Sequence, residues 1–481
     1  MSFSASLSAA LSGLNATRRA VDVVSSNVAN SLTEGYGRRS LTLTSASLGG
    51  VQVVGVTRDV DIKLVGDRRV AQAAVGEADA LASAMLEIEN LFGEPGALGS
   101  LQDSYSRFEA AMISASSRPD VSARLDAAAR SGVQLAEKFG EISDGIQNMR
   151  MDADQSISRQ VDKLNTTLGQ VADLNAQIYL NRSSGQDLAG LQDQRQILID
   201  SIADIIPLKQ VDRGNGTVAL FTPTGGVVLD GTAAEFGYSP VNVITADMTV
   251  DSGALSPLTL NGTAIGTQGK YATIAGGSLA ASFAVRDEIA VEAQAGLDML
   301  ARDLVERFED PALDTTLVAG DPGLFTDSGA ALDPLDEAGL AGRLEFNRLA
   351  DPDEGGNSWL LRDGLGAVSE GAAGNSSLLN ALTARLTDSR AATSAAATGL
   401  ARSAGGHAAD LLSTLASERE SFSVELSYHS TRYESLKSTE LAGGVDTDRE
   451  LQQLLVIEQA YAANAKVLQT IEQLIEEIMA I

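Results

Sequence analysis

The chain ends with Leu451–Ile481, which reads LQQLLVIEQAYAANAKVLQTIEQLIEEIMAI. Leu454, Ile457, Tyr461, Asn464, Leu468, Ile471, Ile475 and Ile478 follow one another at alternating steps of three and four. Such a seam belongs to a helix that lies along another helix. Each large apolar side chain in it contributes about 1.5–3 kcal/mol, but only when a partner covers it. Asn464 within the seam costs stability and sets register. Just upstream, Gly443-Gly444 ends a preceding helix, and Thr447 with Glu450 matches a capping box for the next one.

The opposite end of the chain offers a partner. Residues 3–31 read as a helix whose stripe is Leu7, Leu11, Leu14, Val21 and Val28, interrupted by Arg18 and Ser25. Residues 1–58 hold five arginines against Asp22 and Glu34, whereas residues 446–481 hold seven acids against Arg449 and Lys466. The two ends are complementary in face and in sign, so the expectation is that they pair. The stretch after the first helix, NVANSLTEGYGRR (27–39), has no catalytic or phosphate-binding partners around it. Asn27 and Asn30 suit a helix end, where their amides satisfy freed carbonyls or neighbouring subunits. Thr33 belongs to the same stretch, Gly35 and Gly37 let the chain turn out of the helix, Tyr36 offers an aromatic anchor, and Arg38 and Arg39 offer charge. Together with both seams, these residues form the predicted assembly interface.

Between the ends, 481 residues suffice for about three domains. Residues 36–65 alternate as a hairpin or an extended crossover. Helical patterning covers 66–92, 98–118 and about 120–181, with Pro119 placed in the first turn of the third helix. In that long helix, Leu135, Phe139, Ile142, Ile146 and Met149 step regularly, and Ile157, Val161, Leu164, Leu168 and Val171 resume after a phase slip. A further helix ends before Pro207. Residues 207–280, rich in Gly, Thr and Val, read as an inserted antiparallel β domain. Helix returns at 281–309, loops with short elements occupy 310–375, and 376–441 is helical again. The expected fold is mainly α with an inserted β domain (α+β, multidomain). Its divisions are a terminal coiled-coil domain (1–65 and 442–481), a helical bundle (66–206 and 281–441, with 310–375 shared or assigned to the outer domain) and the insert (207–280).

Composition narrows the function. A net charge of −29 disfavours nucleic acid and anionic membranes. No window of about 18 apolar residues exists to span a membrane. The N-terminus has no base before Arg18, so it lacks the n-region of a secretory signal peptide. Absence of cysteine removes disulfides, thiolate metal sites and Cys nucleophiles. His407 and His429 lack metal-ligand partners. The Asp351 stretch fails as a calcium loop because Arg362 stands where a bidentate Glu is required. GNGTVA (214–219) precedes a strand, and GTQGK around Lys270 lacks the P-loop pattern. No catalytic residue, cofactor site or metal site is expected.

The motifs resemble those of bacterial flagellar axial proteins. Ser12, Gly13, Leu14 and Ala16 match an SGL-x-A element. Asn27, Ala29, Asn30, Thr33, Gly35 and Tyr36 match an N-x-AN-xx-T-x-GY element. The tail, with its Gly-Val start and Gln459-Ala460-Tyr461, is similar to the C-terminal element of that family. The interior stretches ENLFGEPGALGSLQDSYSRFEAAMISASSRPDVSARLDAAARSGVQLAEKF and VADLNAQIYLNRSSGQDLAGLQDQRQILIDSIADIIPLKQV resemble the hook-associated protein 1 family. The resemblance implies an extracellular junction protein between hook and filament, exported by the flagellar type III apparatus without a cleaved signal. Its implied partners are hook protein, hook-associated protein 3, an export chaperone on the C-terminal helix, and further copies in a ring or helical layer. Alternatives are hook protein itself, a flagellum-borne enzyme or adhesin lodged in 207–375, and a cytosolic helical scaffold.

Overall fold

The computed structural model describes residues 3–47, 49–94, 96–182, 188–269 and 271–480, so the GTQGK stretch is described except for Lys270, which lies outside those residues. The first helix, α1 (Phe3–Ala29), leads into an antiparallel hairpin of β1 (Arg38–Ser45) and β2 (Val51–Asp59), registered Arg38 to Asp59 and Ser45 to Val51. Helices α2 (Ile62–Phe92), α3 (Leu101–Ser117), α4 (Ser122–Asn181) and α5 (Ala189–Asp200) follow. Local chemistry starts them. Asp61 accepts from Lys63 N and Leu64 N (3.0 and 3.1 Å), and Ser100 accepts from Asp103 N (3.1 Å) while Asp103 returns to Gly99 N (2.9 Å). Pro119 is not in the first turn of α4, as the sequence suggests. It is the second residue of a turn closed by Val121 N to Arg118 O (3.1 Å), a position its fixed φ favours.

At 60 residues, α4 is about 90 Å long and runs through two cores. The predicted phase slip marks the border between them. Before it, Leu135, Phe139, Ile142, Ile146 and Met149 pack with α2, α3 and later helices. After it, Ile157, Val161, Leu164, Leu168 and Val171 pack with the insert. The insert contains a four-stranded sheet, ordered β3 (Lys209–Asp212), β4 (Val218–Phe221), β5 (Val227–Asp230), β6 (Thr232–Ala233), and a three-stranded one of β7 (Phe236–Gly237), β8 (Thr259–Leu260) and β9 (Thr263–Ala264). Two asparagines of α4 hold these strands as a neighbouring strand would. Asn165 exchanges two hydrogen bonds with the backbone of Phe236 (2.8 and 2.9 Å), and Asn175 does the same with Val218 (2.9 and 3.1 Å).

At the border itself, α4 buries Arg150 and Asp154 in place of apolar residues. Helix α6 (Gly277–Ala284) joins α7 (Ala290–Phe308) through a π-turn, Val285–Ile289, which presents Arg286 to that point. Arg286 pairs with Asp154 (2.9 Å) and, through two nitrogens, with Asp287 (2.8 Å each). Burial opposes its charge, but the two aspartates outweigh this and raise its pKa. The Tyr238 hydroxyl donates to Asp154, and burial, then that bond, raises its pKa. Arg150 donates to the carbonyls of Arg286, Thr245 and Met248 (2.7–2.9 Å). The polar knot thus ties the 238–256 loops to the helices.

Beyond α7 come β10 (Phe325–Asp327), α8 (Leu340–Arg343), β11 (Leu344–Phe346), α9 (Leu360–Asp363), α10 (Ser377–Thr387), β12 (Arg390–Ala391), β13 (Ala401–Arg402), α11 (Ala404–Ala442) and α12 (Thr447–Met479). Phe325, Leu340, Phe346 and Leu361 of the loop-rich stretch are buried in the same core as Phe139 and α7. The stretch 376–441 is not one helix. Its Ala-rich middle reads as helix on propensity, but Arg307 draws it into a short hairpin by donating to the carbonyls of Arg385, Asp388 and Arg402 (2.6–2.9 Å). His407 is buried with Nε2 2.9 Å from Arg390 O, and His429 lies 3.6 Å from Glu425 on α11.

Candidate assembly interface

Helices α1 and α12 pack antiparallel along each other, and the tip of the β1–β2 hairpin rests on α1 beside that contact, where Val51 N donates to Ser12 Oγ (3.1 Å). Two contacts define the register. Asn27 meets Glu450 at one end. Gly13 meets Asn464 further along, so closely that a Cβ on Gly13 would lie 2.8 Å from the amide nitrogen. The step from Asn27 to Gly13 and the step from Glu450 to Asn464 are both two heptads, the repeat of a left-handed helix pair. Cysteines replacing Gly13 and Asn464 are therefore expected to form a disulfide in the folded chain, as a shift on non-reducing gels. Absence of the cross-link under oxidising conditions would count against this register.

The register corrects both predicted seams. On α12 the inward row is Glu450, Ile457, Asn464 and Ile471. Of these, Glu450, Ile457 and Ile471 are buried, while Leu454 and Leu468 are half-buried beside them. Tyr461, Ile475 and Ile478 are exposed. On α1 the innermost side chains are Ala10, Ala16, Val24 and Asn27. Leu7, Leu14, Val21 and Val28 are half-buried, and Leu11 is exposed. Small residues line the contact because they let the two backbones approach, which pushes the leucines to the margins.

Glu450 heads the inward row, and sequence reasoning gave it another role. The N-cap is Asp446, whose carboxylate accepts from Asp448 N and Arg449 N (3.0 and 3.2 Å), one residue before the predicted Thr447. Glu450 is thereby freed from capping. Its two oxygens accept from Arg38 Nε (2.8 Å) and Asn27 Nδ2 (3.0 Å). Stepping back seven from Ile457 lands on Glu450, so the heptad itself carried the signal.

Asn27 is fully buried and uses its whole amide. Besides Glu450, Nδ2 donates to Arg39 O (2.9 Å), while Oδ1 accepts from Arg39 N (2.9 Å) and the Tyr36 hydroxyl (2.9 Å). The Arg39 guanidinium lies over the Tyr36 ring, 5.0 Å from its centroid. Asn30 donates to Ser26 O (2.8 Å), the helix-end role expected of it, and Thr33 donates to Asn30 Oδ1 (3.3 Å). Gly35 has φ +76°, and a Cβ there would lie 2.5 Å from Ile197. Replacing Asn27 by Ala strands a buried carboxylate oxygen and two backbone groups. Each stranded group costs about 1–3 kcal/mol. The paired termini are expected to be destabilised by about 3 kcal/mol or more, read as faster proteolytic trimming of α12 with the body unchanged.

A second acid, absent from the predicted interface, fastens this corner to the body. Asp193 on α5 accepts from Gly37 N (3.1 Å), Arg58 Nε (2.6 Å) and Arg39 Nη2 (3.2 Å), and Arg58 also donates to Gln196. Nothing in the local pattern of α5 marks Asp193 as different from its neighbours. Among the described residues, no group of three or more His, Asp or Glu is placed to hold a metal ion. No helix among them is long and apolar enough to cross a membrane.

Family models match three segments. Residues 85–323 match the helical domain of flagellar hook-associated protein FlgK, 7–36 match flagella basal body rod protein, and 442–481 match the C-terminal part of flagellar basal body rod FlgEFG protein. The last two are the segments that pair as α1 and α12. Flagellar hook-associated protein 1 of Bacillus subtilis (strain 168) is 23% identical over 510 residues, covering 98% of this chain and 97% of that protein. The protein of the same name from Salmonella typhimurium is 27% identical over 236 residues, 47% of this chain and 42% of that protein. The solved flagellar hook junction protein FlgK from Burkholderia pseudomallei aligns with a TM-score of 0.44 at 18% identity, over 56% of this chain and 47% of that one. The chain thus spans nearly all of the Bacillus relative and less than half of the other two.

Proposed function

The chain belongs to the flagellar hook-associated protein 1 family, and from this premise we propose how it serves as a structural junction protein of the bacterial flagellum. The paired termini form one half of a contact that neighbouring subunits complete. The observation that carries this reading is the apolar surface that α1 leaves open on α12. With α1 covering one side, Leu451, Leu455, Val456, Val467 and Leu474 still stand exposed along the helix. An apolar surface of that length on a chain of net charge −29 is a docking surface. Copies of this chain cover it in a ring or helical layer, with hook protein on one side and hook-associated protein 3 on the other. Before assembly an export chaperone covers the same surface of α12. The protein acts outside the cell as a structural component and carries out no catalysis.

Exposed apolar residues on α12 can be altered without touching the α1 contact. Leu455→Glu combined with Val456→Glu is expected to leave monomer stability within about 0.5 kcal/mol, as surface changes do. The same pair is expected to abolish junction formation, seen as hooks without filaments by electron microscopy. Normal filaments on these cells would refute the docking role of this surface.

A further inference from the structure

Most of the deeply buried arginines sit beside a carboxylate. Arg69 pairs with Asp200, Arg286 with Asp154, Arg307 with Asp303 and Arg362 with Asp363. Arg150 lacks one, but all three of its guanidinium nitrogens donate to protein oxygens. Arg195 on α5 differs from both kinds. It is only 7% exposed, and among the described residues no carboxylate lies within ion-pair distance of it. Its Nη1 donates to Asn175 Oδ1 (2.9 Å) and Gly216 O (2.8 Å), whereas Nε and Nη2 donate to no acceptor among the described residues.

Arg195 lines a cavity of about 300 Å³ between the base of the hairpin, α5 and the β3–β4 turn. Arg58, Gln192, Gln210 and Thr217 supply further donors to its wall, and Asp212 is the one acid there. Arg58 is already committed to Asp193, so Arg195 is the cation left for a ligand. We propose that this cavity is a carboxylate-binding site in which Arg195 recognises the anion and the neighbouring glutamine and threonine side chains orient it. A planar carboxylate matches the guanidinium fork that protein acceptors leave open. Burial lowers the pKa of Arg195 to about 10, the direction expected of a cation short of counter-charge. The carboxylate comes either from a free small acid or from an Asp or Glu side chain of a neighbouring copy. The second source rests on the assembly reading above; the site itself does not.

The test titrates the full-length chain with glutarate at constant ionic strength, with chloride as the control, by isothermal titration calorimetry. Saturable glutarate binding is expected, weakened about tenfold or more in Arg195→Met and partly retained in Arg195→Lys. Gln192→Leu, a half-buried wall residue, takes the place of Arg195→Met should that variant not fold, and is expected to weaken binding as well. Absence of glutarate binding, or binding unchanged by these substitutions, would overturn the proposal. Sedimentation at high protein concentration separates the sources. Self-association suppressed by glutarate assigns the site to a neighbour's acidic side chain. Binding without that suppression assigns it to a free acid and leaves the junction reading untouched.

Discussion

Removing residues 451–481 should leave a soluble, folded monomer that builds no junction, so that cells carry bare hooks and do not swim. The expectation follows from where α12 packs. Both cores are built around α4 and contain no residue of α12. The principal partner of α12 is α1. Its removal therefore leaves the body standing while uncovering α1 and deleting the exposed apolar surface. Urea denaturation of the body should keep its midpoint, and swimming in soft agar should fall to that of a strain lacking the protein. Normal swimming of the truncated strain would refute the assembly role of the terminal helices.

Asp154→Ala should destabilise the body by about 3–5 kcal/mol, the range for breaking a buried charge pair. The carboxylate accepts from Arg286, from Tyr238 and from Val241 N (2.8 Å) where the two cores meet. Truncation leaves the Tyr238 hydroxyl and Val241 N without their acceptor and takes one of two counter-charges from Arg286, and both Arg286 and Asp154 are essentially excluded from solvent. Asp287 still neutralises part of the Arg286 charge, but it does not reach the tyrosine or the loop amide. Asp154→Asn retains one acceptor oxygen and should cost less. The shift in urea midpoint at constant slope measures the effect. A midpoint unchanged in Asp154→Ala would mean that the knot does not hold the 238–256 loops.

How far local pattern reaches is clear from particular residues. The helices around Phe139, Leu164 and Ile457 were legible because burial of one helix face imposes a period that any window of two turns reveals. The hairpin at 38–59 was legible from alternation. The Ala-rich stretch at 388–403 misled because propensity is a small effect there, outweighed by Arg307 reaching in from α7 to satisfy three carbonyls. Thr447 misled because Asp446, one residue earlier, is the stronger cap. The leucine stripe of α1 was recognised as apolar but placed at the centre of a contact whose centre belongs to Ala10, Val24 and Asn27.

The amino-acid order alone determined the mainly helical class with its β insert, the positions of most helices, and the two terminal helices as a matched pair, because each of these rests on repeats within a few turns of chain. Tertiary structure alone decided which polar groups meet. Asn27 and Glu450 are 423 residues apart, and Asp154 and Arg286 are 132 apart. A buried hydrogen bond has no period along the sequence. It depends on distances set only when whole helices have packed, and so it becomes visible only in the folded chain.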